Sequence, residues 1–209
     1  YGPNAGAFGM EPWHASIQDA YELLQGKKFE MQNYPMWEKE SLKDEEHPLA
    51  AYHVTEPFVL HTNKKEGKSF KIEGRLLGGC LDCLSHLRGT KFDKVKEFNQ
   101  KYEDDGILWF LESCDLNVFE MRRTLWSLKQ AGWFDTCRGF LIGRPGVQGQ
   151  IIAGLDQYEA VLSILNEFDV PIFMDLDIGH VAPMIPLICG SYGKVTVVGN
   201  DCCIAMSLQ

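Results

Sequence analysis

Glu112 closes the apolar run ILWFL and His180 closes DLDIGH, 68 positions later. Each follows an apolar run that reads as a buried strand. Histidine takes up a proton near neutral pH, and a carboxylate can orient its ring and stabilise the imidazolium. The two side chains could therefore be the base and the orienting acid of a hydrolytic triad. No serine or cysteine sits in a recognisable nucleophile turn, so the third member is not evident. Structural readings stay open for both: a histidine hydrogen-bonded at a strand end, and a carboxylate that reaches water there.

Four other groups could do chemistry. Cys80 and Cys83 form a CxxC, but a zinc site needs a second ligand pair at suitable spacing, and none is found. Two small residues packed in a helix explain the pair better. Arg144 could grip a substrate carboxylate through two parallel hydrogen bonds, or sit in a surface or inter-domain ion pair. Asp175 and Asp177 alternate along a strand, which puts them on one face. With His180 they could hold a metal, but a solvent-facing strand edge serves as well, and no metal or cofactor is assigned. Trp37 stands alone in the polar, acidic stretch 32–50. That stretch reads as a solvated loop, with a lid that closes Trp37 over a ligand as the alternative.

The bulk composition narrows the classes. The 209 residues carry a net charge of -9 and no cluster of Lys and Arg, which argues against a nucleic-acid partner. No apolar stretch approaches the roughly 18 to 20 residues that span a bilayer, so no membrane role is expected. Seven cysteines, an odd number without framework spacing, point to a reduced, cytoplasmic protein, with Cys80, Cys114, Cys189 and Cys203 among apolar neighbours.

The elements that must position these residues alternate. Residues 1–50 read as an entry helix plus a linker or lid. The helix has Pro12 in its first turn, Trp13, Ile17, Tyr21 and Leu24 on its apolar stripe, and Gly26 at its end. From residue 51 to 209 the pattern is a mixed α/β domain. Strands are expected at 52–60, 69–77, 107–111, 138–143, 171–180, 194–198 and 203–207, the last two joined by the hairpin turn GND. Helices are expected after Gly78–Gly79, after the capping-box pair Asn117 and Glu120, and after Asp156.

Four segments in this order resemble one family. GRLLGGCLDCLSHLRGT, ILWFLE, MRRTLWSLKQAGWFDTCRGFLIGR and PIFMDLDIGHVAPMIPLICG are similar to the C-terminal part of LD-carboxypeptidases and the related microcin-immunity serine peptidases. The opening YGPN resembles the stretch just beyond the family's nucleophilic serine. The resemblance implies a swivelling β/β/α-type domain with a mixed sheet and flanking helices. It implies a Ser–His–Glu triad in which His180 is the base and Glu112 its orienting acid. The serine would lie upstream of Tyr1, on an N-terminal domain absent from this chain, so the 209 residues alone are expected to be inactive. The substrate would be an L,D-peptide bond of murein peptides or a microcin-type peptidyl-nucleotide, and a homodimer is possible. Ser113 stands where many members carry an aspartate. The alternative is a non-catalytic module that binds a peptide or nucleotide.

Overall fold

The computed structural model describes residues 1–64 and 69–208. In chain order the elements are α1 (Ala15–Leu24), β1 (Glu30–Gln32), β2 (Met36–Trp37), β3 (Glu56–Pro57), β4 (His61–Thr62), β5 (Ser69–Cys80), α2 (Leu81–Leu87), α3 (Val95–Lys101), β6 (Ile107–Glu112), α4 (Val118–Gln130), β7 (Cys137–Gly143), α5 (Gln157–Leu165), β8 (Ile172–Leu176), β9 (Tyr192–Val198) and β10 (Asp201–Ser207). Eight strands form one mixed sheet in the order β1-β10-β9-β5-β6-β7-β8-β4, and β2 and β3 pair separately. The run β5-β6-β7-β8 is parallel, while β1, β10, β9 and β4 join antiparallel. This is the expected α/β class: a large mixed sheet flanked by helices.

Strand β6 explains why the core has two halves. Its residues alternate across the sheet. Ile107, Trp109 and Leu111 enter one apolar cluster with Met121, Leu125 and Leu128 of α4 and Val161, Ile164 and Leu165 of α5. Leu108 and Phe110 enter the other, with Met31, Phe58, Leu176 and Ile178. All five are at most 1% exposed, as an all-apolar run predicts. Each fully buried side chain of this kind contributes about 1.5–3 kcal/mol. Parity then puts Glu112 on the same face as Phe110.

Two of the local signals at helix starts hold. Asn117 Oδ1 accepts from the amides of Phe119 and Glu120, and the Glu120 carboxylate accepts from the Asn117 amide. Asp156 caps α5 by accepting from the Glu159 amide. The hairpin between β9 and β10 turns through Gly199 and Asn200.

Several expectations give way. The entry helix begins at Ala15 with His14 as its cap, so Pro12 precedes it. Its buried residues are Ser16, Ile17, Asp19 and Ala20, whereas Trp13, Tyr21 and Leu24 are exposed. Asp19, held by the Tyr34 hydroxyl and Lys28, faces the protein, whereas of the expected stripe only Ile17 is buried. Only Glu56–Pro57 of the segment 52–60 is strand, because Pro57 has no N–H to extend a ladder. Short β1 and β4 and the polar helix α3 carry too few periodic residues to read from the sequence. Among the cysteines expected in apolar surroundings, Cys189 is exposed.

Gly143, at the end of β7, fixes how closely the chain beyond β8 approaches. A Cβ there would lie 1.9 Å from the Ile178 carbonyl oxygen and 3.0 Å from the Glu112 Cβ. Gly143→Ala is therefore expected to lower unfolding free energy by at least about 2 kcal/mol, read as a fall in the urea midpoint. An unchanged midpoint would show that β7 and Ile178 separate freely.

Candidate active site

Glu112 is 1% exposed, at the carboxyl end of β6. A charge so placed needs partners, and three segments provide them. His180 Nδ1 lies 3.1 Å from Oε1 and 3.0 Å from Oε2. The Tyr1 hydroxyl donates a short hydrogen bond to Oε1. Tyr1 is held by its own backbone, whose nitrogen donates to the Leu187 carbonyl and whose carbonyl accepts from the Leu187 amide. Its ring lies on Phe110, with centroids 5.5 Å apart. Burial, and then the Glu112 hydrogen bond, push the Tyr1 phenol far above its ordinary pKa, so it stays a donor at neutral pH.

The histidine reaches Glu112 because Gly179 precedes it. Gly179 has φ +116, and a Cβ there would lie 2.5 Å from Glu112 Cγ. Only glycine combines that backbone with that contact. With Nδ1 turned to the carboxylate, the neutral ring carries its proton on Nδ1 and presents Nε2 as an acceptor. The His180 side chain is half exposed. It lines a cavity of about 400 Å³ together with Tyr1, Glu38, Lys39, Tyr52 and Met184.

Cys80 belongs to the same cluster. It ends β5, directly opposite Glu112 in the parallel pair, and caps α2 rather than packing inside a helix as expected. Its Sγ, a Glu112 oxygen and a His180 nitrogen lie within 4.8 Å of one another. Burial, then the Glu112 charge, push its thiol up to about 12. Asp82 ties this corner together, accepting from the Cys80 thiol and from the amides of Cys114 and Asp115. Burial pushes the Asp82 carboxyl up, but the amides of Asp115 and Cys114 lead the opposing hydrogen bonds and hold it below its ordinary range. Cys83 is exposed on α2.

Trp37 and Arg144 meet each other rather than His180. The guanidinium lies 5.1 Å from the Trp37 ring and 5.3 Å from that of Phe58. Arg144 is 3% exposed, and its Nη1 donates to Asp177 Oδ1 at 2.5 Å. The ion pair considered for it is thus buried and within the domain, not on a surface. Trp37 and Arg144 line a second cavity of about 470 Å³ with His61, Gln157, Tyr158 and Asp175. Pro145 faces this cavity and Gly146 faces that of His180, so the turn after β7 is a shared wall.

Asp175 and Asp177 do not share a face or a solvent edge. The register of β7 with β8 shifts between Leu141 and Gly143, and Asp175 has φ +63. Asp175 accepts from Gln157 and the Tyr158 hydroxyl of α5, with His61 Nδ1 2.7 Å away. Asp177 turns to the opposite face, where the Tyr34 amide and Arg144 hold it. Burial raises its pKa against the pull of Arg144. A metal site joining both aspartates to His180 is therefore not formed.

The family model of the LD-carboxypeptidase C-terminal domain matches residues 73–195. The chain belongs to the LD-carboxypeptidase family. Curated relatives of this LD-carboxypeptidase domain include a "Putative carboxypeptidase" of Treponema pallidum, 26% identical over 221 residues, covering 100% of this chain and 57% of that protein. The microcin C7 self-immunity protein of Escherichia coli is 25% identical over 122 residues, covering 58% of this chain and 33% of that protein. The chain thus spans little more than half the length of the first of these relatives. Among the solved structures that share its fold are two of different names. One is an MccF-like protein from Streptococcus pneumoniae in complex with AMP (TM-score 0.67, 22% identity, 92% of this chain, 57% of that one). The other is a muramoyltetrapeptide carboxypeptidase from Oxalobacter formigenes (TM-score 0.64, 16% identity, 96% of this chain, 57% of that one). No helix among the described residues is long and apolar enough to cross a membrane.

Sequence reasoning missed Tyr1 and Cys80 as neighbours of the pair. A tyrosine opening a glycine-rich loop carries no periodic signal, and the partners of Cys80 come from other strands. Arg144→Met strands Asp177 as a buried, unpaired carboxylate. The expected loss is about 3–5 kcal/mol in chemical denaturation, much of it recovered on adding Asp177→Asn. A single-variant loss below about 1 kcal/mol would contradict that account.

Proposed function

We propose that this LD-carboxypeptidase domain supplies the base and the orienting acid of a serine peptidase, with His180 and Glu112 in those roles. The observation that carries the reading is the contact of His180 Nδ1 with both oxygens of a carboxylate only 1% exposed. A purely structural histidine does not need a buried carboxylate, a glycine at φ +116 and an open cavity on its other side.

In this reading a serine hydroxyl attacks the carbonyl carbon of an L,D-peptide bond while His180 Nε2 takes its proton. Glu112 stabilises the imidazolium. Nε2 then returns the proton to the departing amine of the D-residue, and water completes hydrolysis of the acyl-enzyme by the same route. The serine and the oxyanion-hole amides are assigned to an N-terminal domain, in the part of such proteins that lies outside the match. The proposed location is the cytoplasm, a reading supported by seven cysteines without framework spacing.

The proposed substrates are murein tetrapeptides or microcin-type peptidyl-nucleotides. The names of the relatives support both classes. The stretch 38–43 lines the His180 cavity through Glu38, Lys39, Ser41 and Lys43, which supports a lid role for the acidic segment. Trp37 and Arg144 are proposed to contact a more distant part of the substrate from the adjoining cavity. Trp37 would act through its ring, while the charge of Arg144 is engaged with Asp177.

The test joins these 209 residues to a serine-bearing N-terminal domain of the family. Release of the terminal D-residue from a murein tetrapeptide is expected, with the 209 residues alone inactive. His180→Ala and Glu112→Gln in the joined protein should each lower kcat by about 10²–10⁴. Unchanged turnover in His180→Ala would remove the histidine from the mechanism.

A further inference from the structure

Cys80 has no part in the peptidase reading, yet it lies against both residues that do. Its Sγ, one carboxylate oxygen of Glu112 and one ring nitrogen of His180 are mutually within 4.8 Å. These are a sulfur, an oxygen and a nitrogen donor from three segments: the end of β5, the end of β6 and the turn beyond β8. We propose that Cys80, Glu112 and His180 form a binding site for zinc or a similar borderline-soft divalent cation.

The donor chemistry selects the ion. Calcium and magnesium prefer all-oxygen shells, whereas zinc accepts thiolate, imidazole and carboxylate together. Three protein ligands with one open position is an arrangement zinc adopts readily, and the half-exposed His180 side chain opens the fourth position to the 400 Å³ cavity. Tetrahedral zinc with bonds of about 2.0–2.3 Å sets its donors roughly 3.3–3.8 Å apart. With donors no more than 4.8 Å apart, the cluster has to contract by at most about 1.5 Å in any pair. His180 can supply that movement, since its ring is the exposed member. Cys80 and Glu112 are fixed opposite each other by the strand pairing.

Binding replaces the S–H bond of Cys80 by a sulfur–metal bond and releases one proton, for which Asp82 Oδ2, 3.3 Å from the sulfur, is the nearest acceptor on the way to solvent. The ion's charge overcomes the burial that otherwise keeps the thiol protonated. An ion on Nδ1 would leave the proton of the neutral ring on Nε2 and take up the carboxylate. A peptidase built on this pair would then be switched off by the metal. That consequence rests on the proposed function, but the binding does not.

Cobalt(II) titration of the 209-residue chain under reducing conditions tests the binding alone. The expected result is a near-ultraviolet thiolate-to-cobalt charge-transfer band with intense visible bands of a four-coordinate ion, both bleached by zinc. Cys80→Ser should abolish the charge-transfer band while circular dichroism stays that of the parent. His180→Ala and Glu112→Gln should weaken binding at least about tenfold, and Cys83→Ser should leave the spectrum intact. No thiolate band, a band that survives Cys80→Ser, or one lost in Cys83→Ser would each overturn the proposal. Activity does not enter the measurement, so the site can fail while the peptidase reading stands, and the reverse.

Discussion

A carboxylate at the end of an all-apolar strand has to be solvated, protonated or paired, and Glu112 is paired. Much of the surrounding architecture follows from that requirement. The parallel strand β5 brings Cys80 alongside, β7 ends in a glycine so that Ile178 can cross close to Glu112, and Gly179 lets the chain double back with His180. Tyr1 closes the remaining side through backbone bonds to Leu187. Removing water from around Glu112 strengthens its interaction with the imidazole, because the local dielectric is low. The same removal makes Glu112 intolerant of losing its partners.

Asp177 meets the same difficulty three residues before His180 and solves it with a guanidinium. Arg144 in turn leaves the end of β7, and its planar face lies against Trp37 and Phe58. Two buried carboxylates thus organise two neighbouring cavities, one through a titratable base and one through a permanent cation. The turn from Arg144 to Gly146 belongs to both walls. A ligand that displaces this turn from one side alters the shape available on the other.

Much of the fold could be read from periodicity and caps. β6, α4, α5 and the closing hairpin declare themselves because their hydrophobic pattern and end signals agree, as at Asn117–Glu120 and Gly199–Asn200. The misreadings have separate physical causes. Asp19 turns inward because Tyr34 and Lys28 hydrogen-bond it, and the expected stripe residues Trp13, Tyr21 and Leu24 face outward. Asp175 and Asp177 lose their shared face to a one-residue register shift that no composition announces. At the site, Glu112 and His180 were legible because polar residues ending apolar strands stand out. Tyr1 and Cys80 were not, since Cys80 reaches the pair through the β5–β6 pairing and Tyr1 through backbone bonds to the distant Leu187.

The antiparallel half of the sheet joins early and late parts of the chain: β1 pairs with β10, and β10 with β9, which lies against β5. During synthesis β1 and the outer edge of β5 therefore wait, with open backbone edges, until the last two strands leave the ribosome. The parallel pairings among β5, β6, β7 and β8 have no such delay. Glu112 and His180 belong to that earlier half, so the site can be assembled before the sheet that frames it is complete. The price is an interval in which unpaired strand edges are available to neighbouring chains.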